Sequence, residues 1–303
     1  MHASLVDLGT AIQLTLFGLV WGGLYALTAH GLNLIYGVMK ILNIAHGEFL
    51  MLGAYTTFWL LSLWGLSPIA SVLVAAPATF ALGVVVYALV VQPLVRASAG
   101  SIARLEQSTL IMFFGVLMVL QNAALVLWTA DYRVVEYLSA PVGVVGVRIG
   151  ANRLVVLGAA LGISALLHWF LQRSLTGKAI RAISQDREAS LLVAIDARRV
   201  ALVAFGLGAA IAGASGGLVA MIYVITPTMG ILFTLKAFTV MVVGGFGRIM
   251  GALGAGLLLG VAESWGSYVL GEGYREAISY TLLVLLIVLG SHGWFINRER
   301  FVA

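Results

Sequence analysis

Long apolar stretches fill this chain almost from end to end, and they constrain its fold more than any motif does. Hydrophobic residues make up 61% of the 303 positions and charged residues only 10%, against about 25% charged in a soluble domain. No soluble core could hide that much apolar surface. The sequence therefore describes an all-α polytopic membrane protein, embedded in a lipid bilayer. A helix crossing about 30 Å of hydrocarbon needs about 20 residues. By that measure the spans fall at Thr10–Gly37, Ile41–Trp64, Ile69–Val95, Ser108–Thr129 and Arg153–Gln172. They continue at Val200–Val224, Leu232–Gly247, Met250–Tyr268 and Arg275–Gly290. Leu232–Gly247 is short, so the expectation is about eight or nine transmembrane segments, with that one re-entrant in the eight-span case. All of 1–303 reads as a single membrane domain, and its 36 glycines suit close helix packing in lipid.

Charge sets the orientation. The Arg173–Arg199 loop holds Arg173, Lys178, Arg181, Arg187, Arg198 and Arg199 against Asp186, Glu188 and Asp196. Basic loops stay in the cytoplasm, and the basic Arg96–Glu106 loop, two spans earlier, agrees. Ala130–Asn152 then lies outside, as does the N-terminus, while Lys40 is cytoplasmic. The C-terminus is inside if Leu232–Gly247 crosses and outside if it re-enters. A net charge of +5 gathered in loops points to membrane orientation, not to nucleic acid. The lack of cysteine excludes disulfides and thiolate metal sites. Met1–Thr10 has no Lys or Arg, so it lacks a signal peptide's basic start and the first apolar segment is expected to be retained.

Two polar runs interrupt the apolar pattern: Asn43-Ile44-Ala45-His46-Gly47-Glu48 and Gly244-Gly245-Phe246-Gly247-Arg248. A bilayer tolerates charge or irregular backbone only against protein or a watery path, so both runs are candidates for a transport pathway. His46 and Glu48, two residues apart, point to different sides of a helix and make a poor metal pair. If Gly47 breaks the helix, Glu48 falls in the first turn of a new one, where the dipole favours a carboxylate. The alternative is a cytoplasmic helix start with Lys40 snorkelling nearby. Gly244, Gly245 and Gly247 serve either tight packing or solute contact. Gly47 and Gly53-Ala54 share their spacing with Gly245 and Gly251-Ala252, a faint internal repeat. Lys236 and Glu263, isolated charges in apolar sequence, are expected to snorkel to the interface rather than to form a buried ion pair. There is no GxxxxGK[ST] phosphate loop, no HExxH and no row of carboxylates of the kind proton-driven carriers use, so no cofactor is expected on this chain. From Gly177 to Arg199 the loop can form a short helix pair, fit either to dock a soluble partner or to pack on its own membrane domain.

These residues resemble LivH-type permeases of the branched-chain amino acid ABC importers. The resemblance lies in GLNLIYGVMKILNIAHGEFLMLGAY (Gly31–Tyr55), GKAIRAISQDREASLLVAID (Gly177–Asp196) and KAFTVMVVGGFGRIMGALGAGLLLGVAE (Lys236–Glu263). It implies a multi-pass subunit of the bacterial inner membrane that is not itself an enzyme. It also implies a second related permease, two cytoplasmic ATPase subunits that bind the ATP, and an external solute-binding protein. It assigns ATPase coupling to Gly177, Lys178, Arg181, Asp186, Ala194 and Asp196, within loop 173–199. Asn43, His46, Gly47, Glu48, Gly244, Gly245 and Gly247 would flank the translocation path. Ala194 departs from the family's glycine, Arg248 and Met250 from its small residues or proline, and Ser291-His292-Gly293-Trp294 from its Arg-Pro-x-Gly ending. The substrate implied is branched-chain or related amino acids, with urea, short amides or aromatic acids as alternatives. The rival class is a self-sufficient channel or secondary carrier.

Overall fold

The computed structural model describes residues 7–97, 102–144 and 146–291. The chain is helical nearly throughout, because hydrocarbon offers backbone groups no partner outside a helix. α1 (Leu8–Met39) starts on Asp7, whose carboxylate accepts from Thr10 N at 2.6 Å. It ends at Lys40, in the left-handed region (φ 56°). α2 (His46–Trp64) and α3 (Pro68–Val86) follow. α3 continues through a π-helical turn, Tyr87–Val91, into α4 (Gln92–Ala97). Next come α5 (Ile102–Trp128), a hairpin of β1 (Pro141–Val144) and β2 (Val147–Gly150), and α6 (Ala151–Arg173). The hairpin, paired from Pro141–Gly150 to Val144–Val147, lies in the loop expected outside and adds a small β element to an otherwise all-α chain.

After α6 the chain forms α7 (Leu175–Gln185) and α8 (Arg187–Leu192), the short pair expected in the basic loop. α9 (Ala197–Val219), α10 (Met229–Gly244), α11 (Ile249–Leu270) and α12 (Arg275–Ser291) complete it. Among the described residues, six helical stretches are long and apolar enough to cross a membrane: Leu8–Met39, Pro68–Ala97, Gln107–Trp128, Ala151–Arg173, Ala197–Val219 and Ile249–Leu270. α2 begins with His46 and Glu48, and α10 and α12 have 16 and 17 residues, so these three fall short of that measure. The tail Ser291-His292-Gly293-Trp294 lies, beyond Ser291, outside the described residues.

α9 is the central helix: 78% of its membrane window is buried, against 17% for α5, whose Ile111, Phe114 and Val119 face outward. Small residues make this enclosure possible. A Cβ on Gly216 would overlap the Leu50 carbonyl of α2, and one on Gly256 of α11 would sit 2.7 Å from the Ala26 Cβ of α1. Without water, such close backbone approach is what holds helices together. Polar pins add to it. Thr28 Oγ1 lies 2.8 Å from Ser215 Oγ, and Ser264 Oγ donates to Leu14 O at 2.7 Å.

Two expectations need correction. The helix expected over Ile41–Trp64 begins five residues late, at His46, because Lys40 turns the chain out of α1 and 40–45 is not helical. The break therefore lies before Gly47, which sits inside α2. The Gly47/Gly245 repeat also marks no shared geometry: Gly47 is the second residue of α2, whereas Gly245 ends α10, four residues before α11.

Candidate functional site

The first break is a buried, doubled-back segment. His46 Nε2 lies 3.0 Å from the Thr28 carbonyl oxygen, and the ring abuts Gly31. Gly31 precedes Lys40 by nine residues, about 14 Å of α1 at 1.5 Å per residue. Residues between Lys40 and His46 thus climb back along α1, and Ile41, Asn43 and Ala45 are all buried. α2 starts deep in the bundle, with Glu48 in its first turn as expected. Gly47 N donates to Thr234 Oγ1 of α10 at 2.8 Å, and a Cβ on Gly47 would overlap the Gly230 carbonyl. Glu48 is 1% exposed and packs on Gly230, inside the helix bundle.

This region holds an unusual set of buried polar atoms without a protein partner. Both side-chain amide atoms of Asn43, Oε2 of Glu48, Nδ1 of His46 and both ring nitrogens of His30 belong to it. Buried polar groups are nearly always hydrogen-bonded to protein or water, so the cluster can receive water or a polar solute.

The second break is built differently. Gly244 ends α10 with no room for a Cβ against the Gly251–Ala252 backbone. Gly245 (φ 93°) and Gly247 (φ 72°) take left-handed conformations that favour glycine. Gly247 N donates to Asn33 Oδ1 of α1 at 2.9 Å, and Phe246 packs against Tyr36 with centroids 4.7 Å apart and the rings tilted by 40°. Both breaks therefore rest on the second half of α1, the first at Thr28–Gly31 and the second at Asn33–Gly37. Beside the second break lies a cavity of about 250 Å³, walled by Asn33, Gly247 and Arg248 on one side and Ile180, Arg181 and Ser184 of α7 on the other.

The α7–α8 segment is held by its own side chains. Ser174 Oγ accepts from Gly177 N at 2.8 Å, Asp186 Oδ1 from Ala189 N at 2.9 Å, and Asp196 Oδ1 from the N–H groups of Arg198 and Arg199. Gly177 is buried on the Phe170–Leu171 backbone, and Ile180 and Ile183 face inward. Lys178, Arg181 and the run Leu191–Val193 are exposed. Ala194 has φ 60°, a left-handed backbone conformation that favours glycine.

Lys236 and Glu263 overturn the snorkelling expectation. They are 3% and 2% exposed and form a buried ion pair joining α10 to α11. Lys236 Nζ also donates to Ser279 Oγ of α12 at 2.7 Å, and Tyr25 OH of α1 donates to Glu263 Oε2 at 2.9 Å. The signal was present in the sequence as one charge of each sign on consecutive apolar helices, but only packing brings them together. Among the described residues no group of three or more His, Cys, Asp or Glu side chains could hold a metal ion.

Residues 14–289 match the family described as branched-chain amino acid transport system / permease component. The chain belongs to this family. The permease is 31% identical over 290 residues to the high-affinity branched-chain amino acid transport system permease protein BraD of Pseudomonas aeruginosa, covering 93% of this chain and 94% of that one. It is 31% identical over 293 residues to LivH of Salmonella typhimurium, covering 90% and 91%. It is 27% identical over 301 residues to a probable LivH of Methanocaldococcus jannaschii, covering 95% and 93%. No solved structure matches it. The permease is a multi-pass transport subunit of the bacterial inner membrane, not an enzyme, and its family implies an ABC importer assembly in which separate ATPase subunits hydrolyse ATP.

Proposed function

We propose that the permease carries branched-chain or related amino acids inward by alternating access, driven by ATP hydrolysis on partner subunits. The observation that carries this reading is a pair of cavities, one at the start of α11 and one just beyond its end, both also walled by α1. One is the 250 Å³ cavity beside α7. The other, of about 320 Å³, is lined by Trp21, Tyr25 and Lys236. Asn33 and Tyr25, one from each, are eight residues apart on α1, about 12 Å at 1.5 Å per residue. The unpartnered polar cluster at Asn43, His46 and Glu48 lies at the depth between them. Names of relatives support the substrate class: both BraD and LivH are branched-chain amino acid permease proteins.

In this reading 1–303 is one permease domain, and 173–199 is the coupling segment. The exposed Lys178, Arg181 and Leu191–Val193 would meet an ATPase subunit. Gly177, Asp186, Ala194 and Asp196 would shape the segment rather than touch the partner. The complex would comprise a second related permease, two cytoplasmic ATPases and an external binding protein. Nine crossings follow if α10 traverses the bilayer. Tyr223, just before it, packs on Trp21 with centroids 5.7 Å apart, and Gly247, just after it, bonds Asn33. Those two α1 residues are twelve apart, about 18 Å at 1.5 Å per residue, so α10 runs alongside α1 instead of turning back. The C-terminus then lies inside.

Uptake of labelled leucine by the reconstituted assembly tests this directly. Leucine transport that requires ATP and all partners is expected, with urea, short amides and aromatic acids competing poorly. Leucine entry through this chain alone in liposomes would instead establish a self-sufficient channel or carrier.

A further inference from the structure

The 320 Å³ cavity lies away from α7 and α8, between the middle of α1, the first half of α10 and the start of α12. Its walls are aromatic: Trp21, Tyr25, Tyr223 and Phe233. Lys236 forms its floor. An ammonium has three donors, and Lys236 commits two of them, to Glu263 and Ser279. The rings of Tyr25 and Tyr280, 5.5 and 5.7 Å from Nζ, hold the ammonium in place. Among the described residues no partner takes the third donor, and Lys236, paired with Glu263, lines the cavity. At the rim Arg275 pairs with Glu272 at 3.0 Å, and among the described residues Glu276 has no ion pair. Glu276 precedes Ser279 by three residues, so it lies on the same side of α12, one turn nearer the opening. A cation at the floor and a carboxylate one turn above it, inside aromatic walls, match the two ends of a zwitterion that carries an apolar side chain.

We propose that this cavity is the entry subsite for a zwitterionic amino acid. Lys236 receives the α-carboxylate, Glu276 the α-ammonium, and the aromatic walls the aliphatic side chain. The inference rests on the amino-acid reading of the permease and adds to it a place of recognition and the residues responsible.

The absence of native cysteine makes the test direct. Gly273 lines the cavity, and a side chain there meets open space. Gly273→Cys, in right-side-out vesicles carrying the whole transporter and washed free of external protein, would be labelled with a membrane-impermeant maleimide. Bound ligand slows labelling by 1 + [L]/Kd, about threefold at twice Kd. Leucine should protect in this way, and 3-methylbutylamine and 4-methylpentanoate, which each lack one charge, should not. Glu276→Gln added to Gly273→Cys should remove leucine protection without changing the unprotected rate. Equal rates with and without leucine, equal protection by the amine or the acid, or no labelling from outside would each overturn the subsite. ATP-driven leucine uptake by the unsubstituted transporter, assayed with its binding protein, separates the two claims. Uptake without protection sinks the subsite alone, and absence of uptake with normal assembly strikes the amino-acid reading itself.

Discussion

Ala194 shows how much a single backbone angle can decide. Its φ of 60° places an alanine in the left-handed region, at a cost of roughly 1–2 kcal/mol for an L-residue. Ala194→Gly should therefore stabilise the α7–α8 segment by about 1 kcal/mol, net of glycine's greater unfolded-state entropy. Slower amide hydrogen exchange in α8 would register it, and faster exchange would refute the assignment. Gly47 is the opposite case. Gly47→Ala drives a methyl into the Gly230 carbonyl and should sharply lower the folded protein recovered from membranes. Gly158→Ala, where a Cβ meets nothing within 4 Å, should be neutral or gain up to about 1 kcal/mol. Equal recovery of the two variants would show that the α2–α10 approach is loose. Lys236 and Glu263 form the third residue-scale case. Removing either alone strands a buried charge, at about 3–5 kcal/mol, while an apolar replacement of both is milder. Thermal unfolding of Lys236→Met, Glu263→Met and the double variant should show the double variant more stable than either single one.

At the scale of elements, caps decide where helices begin. Asp186 ends α7 and caps α8 through Ala189 N. Asp186→Ala should cost about 1 kcal/mol of local stability and reduce ATP-coupled uptake. Asp186→Asn keeps an acceptor and should restore most of it. Full uptake by Asp186→Ala would mean that α8 is not needed for coupling. At the start of α1, the Thr10 N–H holds the Asp7 carboxyl below its usual range. A depressed pKa contributes stability above the unfolded value and loses it as pH falls through the folded one. Fraying of the first α1 turn should therefore appear only in acid, and Asp7→Asn should remove that pH dependence. Most element boundaries could be read from the apolar runs, since bilayer thickness fixes helix length. Residues 41–45 could not. The polar run from Asn43 marked an interruption there, but only the left-handed turn at Lys40 and the packing of His46 on Gly31 show where α2 starts and that the chain doubles back.

For the whole molecule, the arrangement of α1, α10 and α11 sets the number of crossings. If α10 traverses, the second break is cytoplasmic, and Arg248→Cys should resist an impermeant maleimide until the membrane is opened. Labelling of intact cells would place α10 as a re-entrant helix and the C-terminus outside. The same three helices separate the two cavities, and α9, packed with glycine, fastens α1 to α2 and α3.

The sequence alone determined that this is a polytopic helical membrane protein, because so much apolar surface and so little charge leave no soluble alternative. Its basic loops carry an expected orientation, and its three motif stretches pointed to the permease family. Helix packing decided the rest. Lys236 and Glu263 are 27 positions apart, on different helices, and nothing local distinguishes a snorkelling lysine from a buried one. That distinction depends on which residues of α1 and α12 stand beside it, and therefore on the folded bundle.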